Sequence, residues 1–212
     1  NAKDKNFEKI KDNISVKGSI DFSKFFKPDY DLIFNSINNK YIYLDAIPLD
    51  IIGVIDSMDV KVFGKDTVNI AGLIEVDDAT LFHEFISEDI GETLISNDGI
   101  VMSYSLNIPI KDEGKFKNSQ VDAIMTGEIS LAKTGNEFWN IGGEVYIEDG
   151  SILSFKDNFT GLNGYVTFDN KGINPDMDLI ASTTIADEEI RLRIKGDLDN
   201  ADLILESSSG FS

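Results

Sequence analysis

A protein does chemistry with side chains that hold a proton, bind a metal or attack a bond, and few of these 212 residues are placed to do so. His83 is the sole histidine, which rules out a two-histidine metal site, and its neighbourhood Leu81-Phe-His-Glu-Phe85 lacks ligand spacing. It reads as a surface or packing residue. Without cysteine there is no thiolate nucleophile, thiolate zinc site or disulfide framework, and the redox state of the compartment leaves no mark. The serines of Ser207-Ser-Ser-Gly-Phe-Ser212 do not form Gly-x-Ser-x-Gly. Asp169-Asn-Lys-Gly-Ile-Asn-Pro-Asp176 resembles a calcium loop only loosely: its Gly comes too early and the Glu at the twelfth position is missing, so it reads as a turn. Asp77-Asp78, Glu88-Asp89 and Asp187-Glu-Glu189 read as solvated turns, with weak divalent-ion binding as the alternative. Neither Gly-x-Gly-x-x-Gly nor a Walker sequence occurs. The expectation is no enzyme, no catalytic residue, no metal and no cofactor. Trp139, beside Phe138, is either a plug in a core or an exposed lip for lipid or membrane contact.

The formal charge of −19, from 19 basic and 38 acidic residues, excludes nucleic acid as a natural partner, because such affinity depends on Lys and Arg displacing counterions from phosphates. The same sign disfavours broad adsorption to anionic lipid surfaces. A hydrophobic content of 42% argues against global disorder. The longest apolar-rich run, Ala46-Ile-Pro-Leu-Asp-Ile-Ile-Gly-Val-Ile55, is broken by Pro48, Asp50 and Gly53 and falls short of the ~18 to 20 apolar residues that cross a membrane as a helix. The chain starts at Asn1 without a basic segment leading into an apolar one, and it reads as a piece of something longer.

What the sequence does specify is strands. From Ile190 to Asp199 every even position is apolar or Gly and every odd one charged, a period of two that places one class on each face. Similar stretches are Val16–Phe22, Val60–Phe63, Val145–Ile147, Tyr165–Phe168, Met177–Ala181 and Leu203–Leu205. Turn signals punctuate them at Asn97-Asp-Gly99, Asp112-Glu-Gly114, Thr134-Gly-Asn136, Asp149-Gly150, Asp169-Asn-Lys-Gly172 and Ala186-Asp-Glu-Glu189. A single helix candidate, Asp78 to Ile90, has Leu81, Phe82, Phe85 and Ile86 at helical spacing and Asp77, Asp78 or Thr80 as caps; a strand with a loop fits equally. Five blocks repeat the form apolar-x-Gly-x-apolar-x-apolar, centred on Gly18, Gly72, Gly127, Gly143 and Gly164. A Gly in phase with the apolar face marks a sharp bend or a close backbone approach, so the repeat predicts a sheet that curls along its length.

Residues from about Leu106 to Ser209 carry an ordered set of such blocks that resembles the C-terminal domain of the TamB family. The blocks are Leu106-Asn-Ile-Pro109, Met125-Thr-Gly-Glu-Ile-Ser-Leu131, the presumed hairpin Ile141 to Phe155, Leu162-Asn-Gly-Tyr-Val-Thr-Phe-Asp169 with Gly172 to Ala181, and a closing hairpin from Ile190 to Glu206. Ala201 and Ser209 stand where the family usually has Pro, which affects turns more than strands. The resemblance implies an all-β, elongated, curled antiparallel sheet, a taco-shaped half-pipe with an apolar concave face and at most one short helix. Residues 1–92 would continue it and residues 93–212 would form the TamB-like domain. Family members are anchored in the inner membrane by an N-terminal helix, cross the periplasm, pair with an outer-membrane barrel of the TamA type, and are linked to phospholipid transport and to outer-membrane protein assembly and secretion. AsmA-like bridge-type lipid transfer proteins are more distant relatives.

Physical reasoning gives a compatible picture. Some 14 to 18 strands laid across the long axis would make a sheet ~65 to 85 Å long. One apolar face of that size needs a cover, from itself or from something apolar such as lipid acyl chains. The candidate lipid-groove residues are Val145, Ile147, Phe155, Val166, Phe168, Leu179, Ala181, Leu192, Ile194, Leu203 and Leu205, with an ordinary packed core as the alternative for each. Expected partners are phospholipid acyl chains and a TamA-type barrel; no nucleic acid is expected, and contact with membranes would come through parts outside this segment.

Overall fold

Alternation of apolar and polar side chains runs the length of the chain, and the structure turns it into strands joined by turns. The computed structural model describes residues 13–24, 27–37, 41–46, 51–82, 101–154 and 156–209. Its strands are β1 (Ile14–Asp21), β2 (Asp29–Ser36), β3 (Ile42–Ala46), β4 (Ile51–Gly64), β5 (Thr67–Leu81), β6 (Val101–Lys117), β7 (Val121–Thr134), β8 (Asn140–Ser154), β9 (Asp157–Asp169), β10 (Asp176–Ile185), β11 (Glu188–Asp197) and β12 (Asp202–Ser207). They form one 12-stranded sheet in the order β1-β2-β4-β5-β6-β7-β8-β9-β10-β11-β12. The remaining strand, β3, pairs with Ile51–Ile55 of β4, while β2 pairs with Asp59–Gly64 along the same edge. There is no helix among the described residues; Asp78 to Leu81 end β5, and residues 83–90 of the helix candidate lie outside them.

The sheet is mixed where a purely antiparallel one was expected, because β5 and β6 run parallel, Thr67 beside Val101 and Leu81 beside Phe116. A parallel pair needs a dozen or more residues to carry the chain back, and the stretch between Leu81 and Val101 is long enough. The described sheet is also shorter than expected: because β3 and β2 share one edge of β4, eleven strands lie side by side and span ~50 Å at ~4.8 Å each. The central strands are instead unusually long, 13 to 17 residues in β4–β9 against a typical five or six.

Those long strands bend. Pairing slips between Val54 and Ser57 of β4, Val76 and Asp78 of β5, Ile110 and Gly114 of β6, Ile124 and Met125 of β7, and Ile180 and Ser182 of β10. Each irregularity abuts the next in register, so a line of bulges crosses the sheet as a crease, and bulges bend and coil the strands that carry them. Two segments read as turns from sequence sit on this line inside strands: Asp112-Glu-Gly114 in β6 and Asp149-Gly150 in β8. Ile141 to Ser154 is accordingly one bent strand and not a hairpin. Glycine and acidic residues mark a bend inside a strand as readily as a turn between two strands. Above the crease the strands run on for up to ten residues, as in Val101–Ile110; below it, for about four, as in Ser151–Ser154. The trough has one tall wall and one short wall.

Curling is tight. Strands two apart in a flat sheet stand ~9.6 Å from each other, yet β8 and β10, which flank β9, have Cα atoms within 8 Å. Ala123, Val145, Ile147, Phe159, Leu162, Met177, Ala181, Leu192 and Ile194 bury one another along the floor of β7–β11, with no second layer over them among the described residues. Phe159 and Leu162 differ in parity but face the same way, because Gly161 at φ 62° inserts a bulge between them.

All five in-phase glycines adopt positive φ. Gly164 shows why: it lies between Ile147 of β8 and Leu179 of β10, at φ 138°, and a Cβ there would strike the carbonyl oxygen of Asp178. Inside a bend the side chains crowd together, so a residue without one lets its larger neighbours close over it. Gly164→Val should cost about 3 kcal/mol, read as a lower denaturant midpoint with an unchanged slope. A midpoint equal to that of Thr167→Val would show that the glycine is not required for the curl.

Candidate functional site

The concave face is the candidate site, and the register shows how sequence-distant residues come together on it. One row runs Gly127, Val145, Val166, Met177, Gly196. The next runs Met125, Ile147, Gly164, Leu179, Ile194, Leu203, and beyond it Ala181, Leu192 and Leu205 share a row. Phe168 sits higher on the wall, opposite Gly143. Ten of the eleven sequence-derived groove residues thus share one face; Phe155 lies outside the described residues.

They do not share one environment. Val145, Ile147, Ala181, Leu192 and Ile194 are buried, Val166, Phe168 and Leu179 are half-buried, and Leu203 and Leu205 are 54% and 39% exposed. Burial therefore falls from the floor towards β12. At the other end Ile14, Val16 and Ile20 on β1 and Phe22 just beyond it are exposed as well. Sequence reading missed two of the fully buried floor residues, Phe159 and Leu162; the off-phase Gly161 between them was the available signal.

The outer face is polar and held by cross-strand ion pairs. Lys61 reaches Asp31 at 3.0 Å and Lys111 reaches Glu75 at 3.0 Å. Arg193 donates to both carboxylate oxygens of Asp178, Nε at 2.8 Å and Nη2 at 2.6 Å. These hydrogen bonds, reinforced by the positive charges of Arg193 and Lys195, hold the Asp178 carboxyl below its ordinary range. Ser57 and Lys111 do the same to Glu75. At the rim of the tall wall the Asp197 carboxylate accepts from the backbone and side chain of Asn200, both at 3.0 Å, and the Asp169 carboxylate accepts from the Lys171 N–H at 2.9 Å. These aspartates are occupied in making turns. Among the described residues no group of three or more acidic or histidine side chains is arranged to hold a metal ion.

A family model for the TamB C-terminal domain matches residues 10–209. The chain belongs to the TamB family. The match covers both the region whose blocks carried the resemblance and the strands before it, β1 to β5. No curated protein matches the chain. TamB proteins are non-enzymatic components of the cell envelope, associated with its translocation and assembly module. In this TamB domain no helix among the described residues is long and apolar enough to cross a membrane.

The Asp178–Arg193 pair joins β10 to β11 directly behind the buried floor. A carboxyl with a lowered native pKa contributes stability that is complete above its unfolded value and disappears as pH falls through the native one. As pH drops below about 4, the denaturant midpoint of the parent should fall more steeply than that of Asp178→Asn. Parallel curves would show that the pair contributes nothing.

Proposed function

We propose that this domain is a passive carrier for phospholipid: acyl chains lie in the trough while the lipid moves between the inner and outer membranes along the parent protein. The observation that carries this reading is the continuous apolar face from β1 to β12, for which no described element provides a cover. In water such a strip exceeds the few hundred Å² tolerated on a soluble surface, and acyl chains satisfy it without hydrogen bonds. Family membership supports a setting in the periplasm-facing envelope, with an inner-membrane anchor elsewhere in the parent protein. The buried floor narrows this proposal: Val145, Ile147, Ala181, Leu192 and Ile194 shape the trough, and the half-buried and exposed residues Val166, Phe168, Leu179, Leu203 and Leu205 are the ones that touch lipid. Val166 and Phe168 replaced together by Asp should abolish co-purifying phospholipid while the strands still form, read by mass spectrometry and circular dichroism. Unchanged bound phospholipid in a folded double variant would refute the carrier.

A second reading has an observation of its own. Among the described residues β12 pairs only with β11, so no described strand occupies its outer backbone edge, and Leu203, Ile204 and Leu205 are exposed on both of its faces. An edge of that kind accepts an added strand, which suits a scaffold that pairs with a TamA-type barrel during outer-membrane protein assembly. Crosslinks from residues 203 to 205 to a barrel strand would favour it; lipid capture that needs no protein partner would weigh against it.

A further inference from the structure

Charge has been almost wholly excluded from the concave face. Follow the tall wall in register from β1 to β12, and the inward positions are apolar residues, glycines and a few hydroxyls. Among these described positions one charged residue occurs: Lys133, paired with Tyr104 in the row that runs Gly18, Leu32, Val62, Ile70, Tyr104, Lys133. It lies at the top of β7, one residue before the strand ends. Its ammonium sits 5.3 Å from the centre of the Trp139 ring, and the Trp139 and Tyr104 rings lie 5.0 Å apart at 41°. No carboxylate among the described residues forms an ion pair with Lys133, although carboxylates are twice as common as cations in this chain. Beside Trp139 stands Phe138, at 82% the most exposed of the described large apolar residues.

We infer that Lys133, Trp139 and Tyr104 form a station on the rim of the trough for the phosphodiester of a phospholipid headgroup, with the acyl chains lying down the tall wall. This rests on the carrier reading and specifies its polar end. Dimensions agree. From Met125 at the crease to Lys133 the strand rises ~26 Å, while the tails of one lipid leaflet fill half of a ~30 Å hydrocarbon core, ~15 Å. A lipid with its phosphate at Lys133 therefore keeps its tails on the apolar wall above the packed floor. The chemistry agrees too. A lysine buries its stem along apolar surface and leaves its ammonium at the water boundary, and Trp and Tyr favour the same boundary because one part of each ring system is apolar and the other wet. The ring face holds the ammonium in place by its quadrupole without neutralising it, so the charge stays available to an anion. A carboxylate partner would have cancelled it.

Trp139 is the only tryptophan, so its emission reports on this station directly. The full chain is titrated with a short-chain phosphatidylethanolamine, with the diacylglycerol of the same acyl chains, and with inorganic phosphate. The expected result is a blue shift with phosphatidylethanolamine whose apparent Kd rises about tenfold in Lys133→Gln, an unchanged Kd for diacylglycerol, no response to inorganic phosphate, and retention of the headgroup preference in Lys133→Arg. Equal phosphatidylethanolamine affinity in the parent and Lys133→Gln, each with the same denaturant midpoint, overturns the station while leaving the carrier standing. A shift with inorganic phosphate alone makes this a free-anion site and also overturns it. If the parent responds to neither lipid, the carrier reading fails with it.

Discussion

A sheet with one apolar face and no second layer has to bury that face against itself, and crowding on the inside of the bend sets how far it can go. Here the crowding is relieved in two ways. Glycines such as Gly127 and Gly164 leave gaps in the inward rows, each beside a large residue of the neighbouring strand, and a line of bulges creases β4 to β10 across their middles. The consequence is a floor where Phe159, Leu162 and Leu192 are within 2% of full burial, packed among side chains of their own sheet. Each such side chain contributes about 1.5 to 3 kcal/mol relative to exposure, so the curl is favoured by the apolar residues it encloses.

Self-burial cannot be complete, and the remainder is what gives the domain something to do. Interior packing forms a continuous cluster along the floor of β7–β11, and Val54, Ile55 and Val60 of β4, Val68 of β5 and Ile110 of β6 are buried as well. Val166, Phe168 and Leu179 pack against that cluster but stay half-buried, and among the described residues β1 and β12 have a neighbouring strand on one side only. Among the described residues the inward apolar surface is most open at the edge strands, where Val16 of β1 and Leu203 of β12 are each 54% exposed.

Alternation and in-phase glycines made the all-β class and the curl legible before any coordinates, because a period of two and a missing side chain each have a direct geometric meaning. The inward face was legible for the same reason, and ten of its residues fall together. Three things were not. The Gly and Asp of Asp149-Gly150 do not reveal whether the chain turns back or bends and continues, since both need the same backbone freedom. The parallel pairing of β5 with β6 depends on the path of a long connection, which no local pattern encodes. Phe159 and Leu162 lie out of phase until the bulge at Gly161 is known. Trp139 was visible as either plug or lip; only the register shows that Lys133 and Tyr104 stand beside it on the inward side.

Electrostatics completes the division of labour between the faces. Acidic residues outnumber basic ones two to one, and on the outer face they are paired across strands, as Asp31 with Lys61 and Asp178 with Arg193, or left in turns where water solvates them. A net negative exterior keeps a long one-sided sheet from stacking on other copies of itself. At the rim of the tall wall Lys133 forms no ion pair with a described carboxylate. Placing one cation at the top of an otherwise uncharged wall costs little, because its head remains in water, and it is the position at which a molecule with apolar tails and an anionic head would be distinguished from one with tails alone. A lysine at the floor, among Val145, Ile147 and Leu192, would have had to surrender its hydration to packed hydrocarbon, which a lone ammonium does not survive as a charge. The curl thus determines where on the inner face a charge is tolerated, and the height of the wall determines how far that charge stands from the apolar floor.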